Sequence, residues 1–443
     1  MVSGGLSIIF LLLAIGLIIF LTSKLRMNAF LVLLLVTFLY GIFVGMPLDK
    51  LITNIRDGFG GTLGYIGIVI VAGTIIGTIL EKTGAAISMT NSILKVVGKD
   101  KSPLAMSIAG FVVSIPVYCD SGYVILTPLN KALAEKTKKS MAVMAVALAS
   151  GLYATHCLVP PTPGPIASAG ILGANLGGVI GFGLIVAIPA MFAGYLWAIH
   201  FAKRYEIEPE LEKTYDELQK DFGSLPPAFL SFLPLVIPIF LILLKSLSNP
   251  KLGLIKEGPL STFFSFIGDP VTALIIGIFL ALLLVTKEYM GEAIHDWIGD
   301  GIHNAALILA ITGAGGAFGS VLKASPIGNY LGETLAAVNI GIFLPFIISA
   351  ALKTAQGSST VAIITTSSIM APMLSSLGLS PVLTVLAIGA GAMTVSHAND
   401  SYFWVVSKFA DMEVPIAYRA YTTATLLMGI VSVIIVAILS LFV

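Results

Sequence analysis

Val159 to Pro165 reads VPPTPGP, four prolines in seven residues, set in a stretch that is otherwise as apolar as lipid. Proline lacks the N–H that an α-helix needs, and its ring clashes with the preceding turn. No continuous helix passes through this segment, yet the residues on both sides suit a membrane span. The segment therefore marks a membrane helix broken at depth. Backbone of that kind is tolerated only where protein or a water-filled cavity surrounds it.

Composition sets the same environment. The 443 residues are 57% hydrophobic and only 11% charged, and mean hydropathy is +1.01. Soluble domains carry about a quarter charged residues, so this chain cannot clothe itself in a hydrated surface. Runs such as Gly5–Leu21, Ala29–Phe43, Phe182–Ile199 and Tyr421–Val443 have the length and composition of membrane helices. They are continuous rather than alternating, which favours an all-α polytopic protein over a β-barrel. The first run has no basic leader or small-residue cleavage site and reads as a retained span. Net charge is +1 without a long block of like charge, so nucleic acid is not an expected partner. Cys119 and Cys157 sit in apolar surroundings and read as two small buried side chains rather than a disulfide or metal site.

The chain is written twice. AGTIIGTIL from Ala72 matches AGGAFGSVL from Ala314 at an offset of 242 residues, and Thr155-His156 matches Ser396-His397 at 241. The small residues at four-residue spacing, Gly73/Gly77 and Gly315/Gly319, let helices pack closely in lipid. The hydrophilic stretch Lys203–Ser224 marks the seam. The expected organisation is a first repeat over 1–205, a connector over 206–226 and a second repeat over 227–443. In each half two apolar spans precede an amphipathic piece, Leu51–Phe59 or Tyr289–His303, which is expected to lie as a separate helix at the interface.

Two kinds of interruption follow in each half. Val113–Pro128 and Ala351–Pro372 are apolar at both ends and polar at the centre. They predict re-entrant hairpins over about 102–134 and about 340–378. The broken helices are predicted over about 140–177, interrupted by VPPTPGP, and about 380–410, interrupted by Ser396–Tyr402, SHANDSY, whose side chains compete for backbone hydrogen bonds. Unwound backbone and half-helix N-termini at matching places in two repeats are the best sequence pointer to a transporter's substrate site.

Asp120, His156, Lys353, His397 and Asp400 fall in or beside these interruptions. A charge at the bilayer centre costs at least ~2.5 kcal/mol, so function is the default explanation. His156 and His397 serve equally well as hydrogen-bonded core histidines or as functional groups. Lys353 is expected near a hairpin end, its stem carrying the ammonium back to water. Asp120 and Asp400 are too short to reach water and are the candidates for carrying a coupling proton, together with the two histidines; Asp120 leads, because CDSG offers it no cation. Ser121, Thr162, Gln356, Ser358, Ser359, Thr360, Asn399 and Ser401 supply neutral groups for a hydroxylated or carboxylated solute. A small anionic organic acid is the expected partner, with helix N-termini facing its carboxylate.

No GxxxxGK[ST] loop, HExxH or metal-spaced Cys/His set is present, and no cofactor is expected. Bringing a monoanion into a negative cell costs about 2.3 kcal/mol per 100 mV, and one accompanying proton cancels that charge. Sodium is the rival ion. An intramembrane enzyme using His397 and Asp400 as an acid–base pair lacks an activated nucleophile and leaves the repeat unexplained.

The strings CDSGYVILTPL, PPTPGPIASAGILGANLG, KTAQGSSTVAIITTSSIMAPM and SHANDSYFWVVSKF resemble the gluconate permease family of gluconate:proton symporters, over essentially the whole chain. The resemblance implies two inverted-topology repeats, elevator-type movement, a homodimer and a multi-pass protein of the bacterial inner membrane. It implies uptake of gluconate, of other sugar or glycerate-like acids, or of D-serine. Lys24, Arg26, Lys136, Lys138 and Lys139 suggest cytoplasmic loops, which puts the N-terminus outside.

Overall fold

The computed structural model describes residues 4–210, 225–247, 258–326, 340–398 and 400–442. Most of the hydrophilic connector lies outside the described residues, as does Asn399. Eighteen helices are numbered here in chain order. The first nine are α1 (Gly4–Ile19), α2 (Ala29–Phe43), α3 (Leu48–Lys82), α4 (Ala85–Val97), α5 (Ser102–Val113), α6 (Cys119–Thr137), α7 (Met141–Leu158), α8 (Pro163–Leu172) and α9 (Leu176–His200). The rest are α10 (Ala228–Leu247), α11 (Pro259–Ile267), α12 (Pro270–Leu282), α13 (Met290–Lys323), α14 (Phe343–Gln356), α15 (Ser359–Met370), α16 (Pro381–Met393), α17 (Ser401–Phe409) and α18 (Val414–Leu439). Among the described residues, α3, α9, α10, α13, α18 and the α7–α8 pair are long and apolar enough to cross a bilayer; α11 and α12, bent by 61°, form a further candidate span.

The long helices α3 and α13 correct one expectation. Leu51–Phe59 and Tyr289–His303 are not separate interfacial helices but the N-terminal parts of continuous helices of 35 and 34 residues. No proline intervenes in either, and α13 passes through a π-helical turn over Ala293–Trp297 without a break. At 1.5 Å per residue, each helix is about 50 Å long, longer than the ~30 Å hydrocarbon core. They run antiparallel: Gly58 abuts Gly316 and Ser320, Gly67 faces Leu309, and Gly301 lies on Ile75. Gly67 and Leu309 are themselves 242 positions apart, so the crossing is centred on equivalent residues.

Glycine makes that approach possible. A methyl on Gly316 would sit 2.6 Å from the Gly58 carbonyl oxygen and collide with Thr62, with backbone on one side that cannot rotate away. Overpacking of this kind costs about 1–3 kcal/mol. Gly316→Val is therefore expected to lower the melting temperature of the detergent-solubilised protein. Gly60→Ala, whose methyl meets nothing within 4 Å, is expected to leave it unchanged or raise it, because alanine favours the helix by about 1 kcal/mol.

A second contact recurs. Gly151 of α7 rests against the Ser107 carbonyl and the Phe111 amide of α5; Gly391 of α16 rests against the Phe346 carbonyl and the Ala350 amide of α14. In both halves, then, the first arm of one hydrophobic helix pair packs on the helix that precedes a break. The α5–α6 pair is closed at its base, where the Ser102 and Thr137 hydroxyls are 3.0 Å apart, and near its tip, where Gly122 meets Val113. Its two arms run antiparallel.

Candidate functional site

Four interruptions meet in the interior: Ser114–Tyr118 between α5 and α6, Val159–Thr162 between α7 and α8, Gly357–Ser358 between α14 and α15, and 394–400 between α16 and α17. Each has its own local cause. Pro116 follows the end of α5; Pro160 and Pro161 stop α7, and Pro163 opens α8 as a first-turn proline. Gly357 takes φ +89°, a left-handed conformation suited to glycine, as α14 ends. In the last break, Ser396 N donates to Thr425 Oγ1 at 3.0 Å and Thr422 Oγ1 donates to the Ser396 carbonyl at 2.5 Å, so α18 replaces the missing helical bonds. Gly73 and Gly77 let α3 lie against the Pro161 and Pro116 carbonyls.

Half-helices start at these breaks in two side-by-side pairs. Tyr123 of α6 lies edge-on to Tyr402 of α17, with ring centroids 6.1 Å apart, and Lys131 pairs with Asp411 at 2.6 Å further along, so α6 and α17 run parallel. Ile363 of α15 packs on Gly164 of α8, and Ser367 Oγ donates to Ser168 Oγ at 2.7 Å, so this pair is parallel too. Each pair joins a helix from one half of the chain to a helix from the other. Because α7 returns from the end of α6 and α8 continues onward, the two pairs leave the centre in opposite directions. All four N-termini, with their partial positive charge, remain at the breaks.

The charged residues are placed unevenly. Lys353, in the last turn of α14, is fully buried. Its ammonium donates to Asp400 Oδ2 and to the Gly357 carbonyl, and stands 5.8 Å from the centre of the Tyr153 ring. This corrects the expectation that Lys353 reaches water: a buried carboxylate satisfies it in place. Asp400 likewise differs from the unpaired acid expected from sequence. Its Oδ2 also accepts from Ser396 Oγ at 2.5 Å, and its Oδ1 caps α17 by accepting from Tyr402 N at 3.1 Å.

Asp120 has no such support. It is half-buried in the first turn of α6, its Oδ1 has no hydrogen-bond partner among the described residues, and the carboxylate is otherwise met by its own backbone N–H and by the Cys119 thiol, 3.8 Å from Oδ2. It lies within the field of both Asp400 and Lys353, as does buried His156. His156 stacks on Tyr153 with centroids 6.2 Å apart, and its Nδ1 is unpartnered. His397 is half-exposed, and its Nε2 meets the Thr354 carbonyl at 2.9 Å, which ties the last break to α14.

The neutral candidates are also sorted. Gln356 keeps a buried Nε2 without a partner, while its Oε1 accepts from Thr22 at 3.4 Å. Ser359 is buried and reaches the Cys157 thiol, as Tyr153 does. Thr162 Oγ1 donates to the Val159 carbonyl at 2.6 Å, and Ser358 Oγ accepts from Val361 N at 3.3 Å, so both serve the local backbone. Ser121 and Thr360 are half-buried beside the breaks and Ser401 is exposed. Tyr153, Tyr402 and Ser396 join the cluster without having been picked out from sequence. Aromatic residues in an apolar helix carry no signal of their own, and Ser396 was marked only as part of the break.

Comparison with known proteins agrees with this architecture. The profile of the GntP family permease matches residues 6–442. An uncharacterized permease of Haemophilus influenzae is 39% identical over 417 residues, covering 90% of this chain and 85% of its own. The gluconate permease of Pseudomonas aeruginosa is 31% identical, with 96% of each chain covered. The D-serine transporter of Escherichia coli is 34% identical, with 95% of each covered. Among solved structures, the YdaH transporter of Alcanivorax borkumensis shares the fold with a TM-score of 0.65 at 17% identity, over 89% of each chain. An all-helical, multi-pass membrane protein matched along nearly its full length by one permease profile has one assignment: the chain belongs to the GntP permease family.

Proposed function

We propose that this chain carries gluconate or a related small hydroxy acid into the cell together with a proton, and that Asp120 carries the proton. The observation behind this reading is the contrast between the two acids at the breaks. Asp400 is neutralised by Lys353, whereas Asp120 keeps a buried oxygen with no partner. The cluster therefore holds one carboxylate more than it holds ammonium groups. An entering anion repels that carboxylate unless a proton neutralises it, so substrate and proton favour each other's binding. Four half-helix N-termini supply the complementary polarity for the substrate. The relatives' names support a small acid as cargo, since they include a gluconate permease and a D-serine transporter at comparable identity.

Two inverted repeats related by an axis in the membrane plane form part of the same proposal. The antiparallel α3–α13 crossing, centred on Gly67 and Leu309, supports them, as does the recurrence of the Gly151 contact at Gly391. Such repeats place the substrate at their interface near the bilayer midplane.

Proteoliposomes holding the purified protein are expected to accumulate labelled gluconate when the outside is acidified, and to lose that accumulation when a protonophore collapses the gradient. Replacing external sodium with choline is expected to change nothing; uptake that stops in choline assigns the coupling to sodium. Competition by other sugar acids, glycerate and D-serine then ranks the substrates.

A further inference from the structure

We infer that Lys353 is the group that receives the substrate's carboxylate, and that Asp400 is the placeholder that neutralises Lys353 while the site is empty. This deepens the proposed function and rests on it, by naming the residue that distinguishes an acid from a neutral polyol.

The placement of Lys353 is the first ground. Its ammonium is fully buried, and it sits where the break after α14 meets the break before α17. Burying a lone ammonium is costly, so an empty site needs a counter-ion for it. Asp400 supplies one.

The second ground is what Asp400 keeps when Lys353 turns away. The Ser396 hydroxyl at 2.5 Å, the Tyr402 N–H at 3.1 Å and the N-terminus of α17 remain with it. Two sources of positive polarity, the Ser396 hydroxyl and the α17 N-terminus that includes the Tyr402 N–H, hold this carboxylate without the ammonium. Among the described residues Lys353, in contrast, has only the Gly357 carbonyl and the Tyr153 ring besides Asp400. The pair is therefore asymmetric: the acid is held by its surroundings, while the base is free to change partners. A substrate carboxylate can replace Asp400 at Lys353 without leaving either protein charge bare.

The third ground is the company Lys353 keeps. Gln356 is three residues further on the same helical face, with its Oε1 occupied by Thr22 and its Nε2 unpartnered. Ammonium and amide together present donors suited to the two oxygens of one carboxylate. The other unpartnered atoms in the field of Lys353, Asp120 Oδ1 and His156 Nδ1, are suited to accept from hydroxyls. Donors at one end and acceptors at the other match a hydroxy acid.

Labelled gluconate uptake in proteoliposomes tests this, with unlabelled gluconate and the uncharged polyol sorbitol as competitors. Asp400→Asn keeps the side chain's size and a carbonyl oxygen for its hydrogen bonds but removes the competing charge. It is expected to lower KM about tenfold, equivalent to about 1.4 kcal/mol, while turnover slows. The double variant Lys353→Met/Asp400→Asn removes both charges together. Its KM is expected to rise at least about tenfold, and gluconate should no longer compete better than sorbitol. A double variant with the wild-type KM and wild-type preference would make the pair purely structural and overturn the inference. Should the double variant not fold, an unchanged or raised KM in Asp400→Asn overturns it instead. Wild-type protein that takes up no acid at all overturns the proposed function as well; wild-type uptake beside an unaffected double variant overturns only the role of Lys353.

Discussion

Asp120→Asn is expected to abolish the pH-driven accumulation of gluconate and to leave a folded protein. Asparagine matches aspartate in shape, and Asp120 makes no ion pair whose loss would destabilise the fold. The amide is a permanent imitation of the protonated acid. Substrate should still bind and cross, because the repulsion between two anions is gone, but nothing then links its passage to a proton. A pH difference of one unit is worth about 1.4 kcal/mol, or tenfold accumulation at one proton per substrate. The variant is expected to lose that whole factor and fall to the level of a gradient-collapsed control. Exchange of labelled for unlabelled gluconate at equal pH should persist. A variant that still follows the imposed gradient would move the coupling group away from α6, with His156 as the next residue to examine.

Only part of the site is legible from the sequence, and the division follows the range of the forces involved. Proline and glycine act on their own backbone, so the end of α7 at Leu158 and the turn at Gly357 follow from local chemistry. Apolar length alone gives the all-helical membrane fold. Pairing is a different matter. Lys353 and Asp400 are 47 residues apart and meet only because α14 and α17 are brought together by packing. From sequence, a lysine at a hairpin end suggests reach toward water; buried, it finds a carboxylate instead. The hydroxyl residues show the same limit. Thr162 and Ser359 are similar candidates by composition, but one hydroxyl is bonded to its own turn and the other faces a neighbouring helix. The amphipathic starts of α3 and α13 misled for a related reason. Charged and apolar faces suggest a helix in the interface, while the glycine contacts that hold each as a straight continuation involve the opposite helix.

Lys353→Met alone is expected to damage the protein more than removing both members of the pair. The single change leaves Asp400 buried, 4% exposed, with its charge no longer balanced by an ammonium. Breaking one side of a buried ion pair typically costs about 3–5 kcal/mol, whereas replacing both sides with neutral groups is often nearly neutral. Ser396, Tyr402 and the α17 N-terminus retain part of the stabilisation, which places the expected loss at the lower end of that range, about 3 kcal/mol. The measurement is the yield and melting temperature of purified protein for the wild type, Lys353→Met, Asp400→Asn and the double variant. Lys353→Met should give the lowest of both, and adding Asp400→Asn to it should recover most of the difference. The recovered protein still lacks the ammonium, so its KM should stay raised while its stability returns. A purely structural lysine would let KM return together with stability. Equal damage in the single and double variants would mean that the bare charge of Asp400 is not what destabilises Lys353→Met.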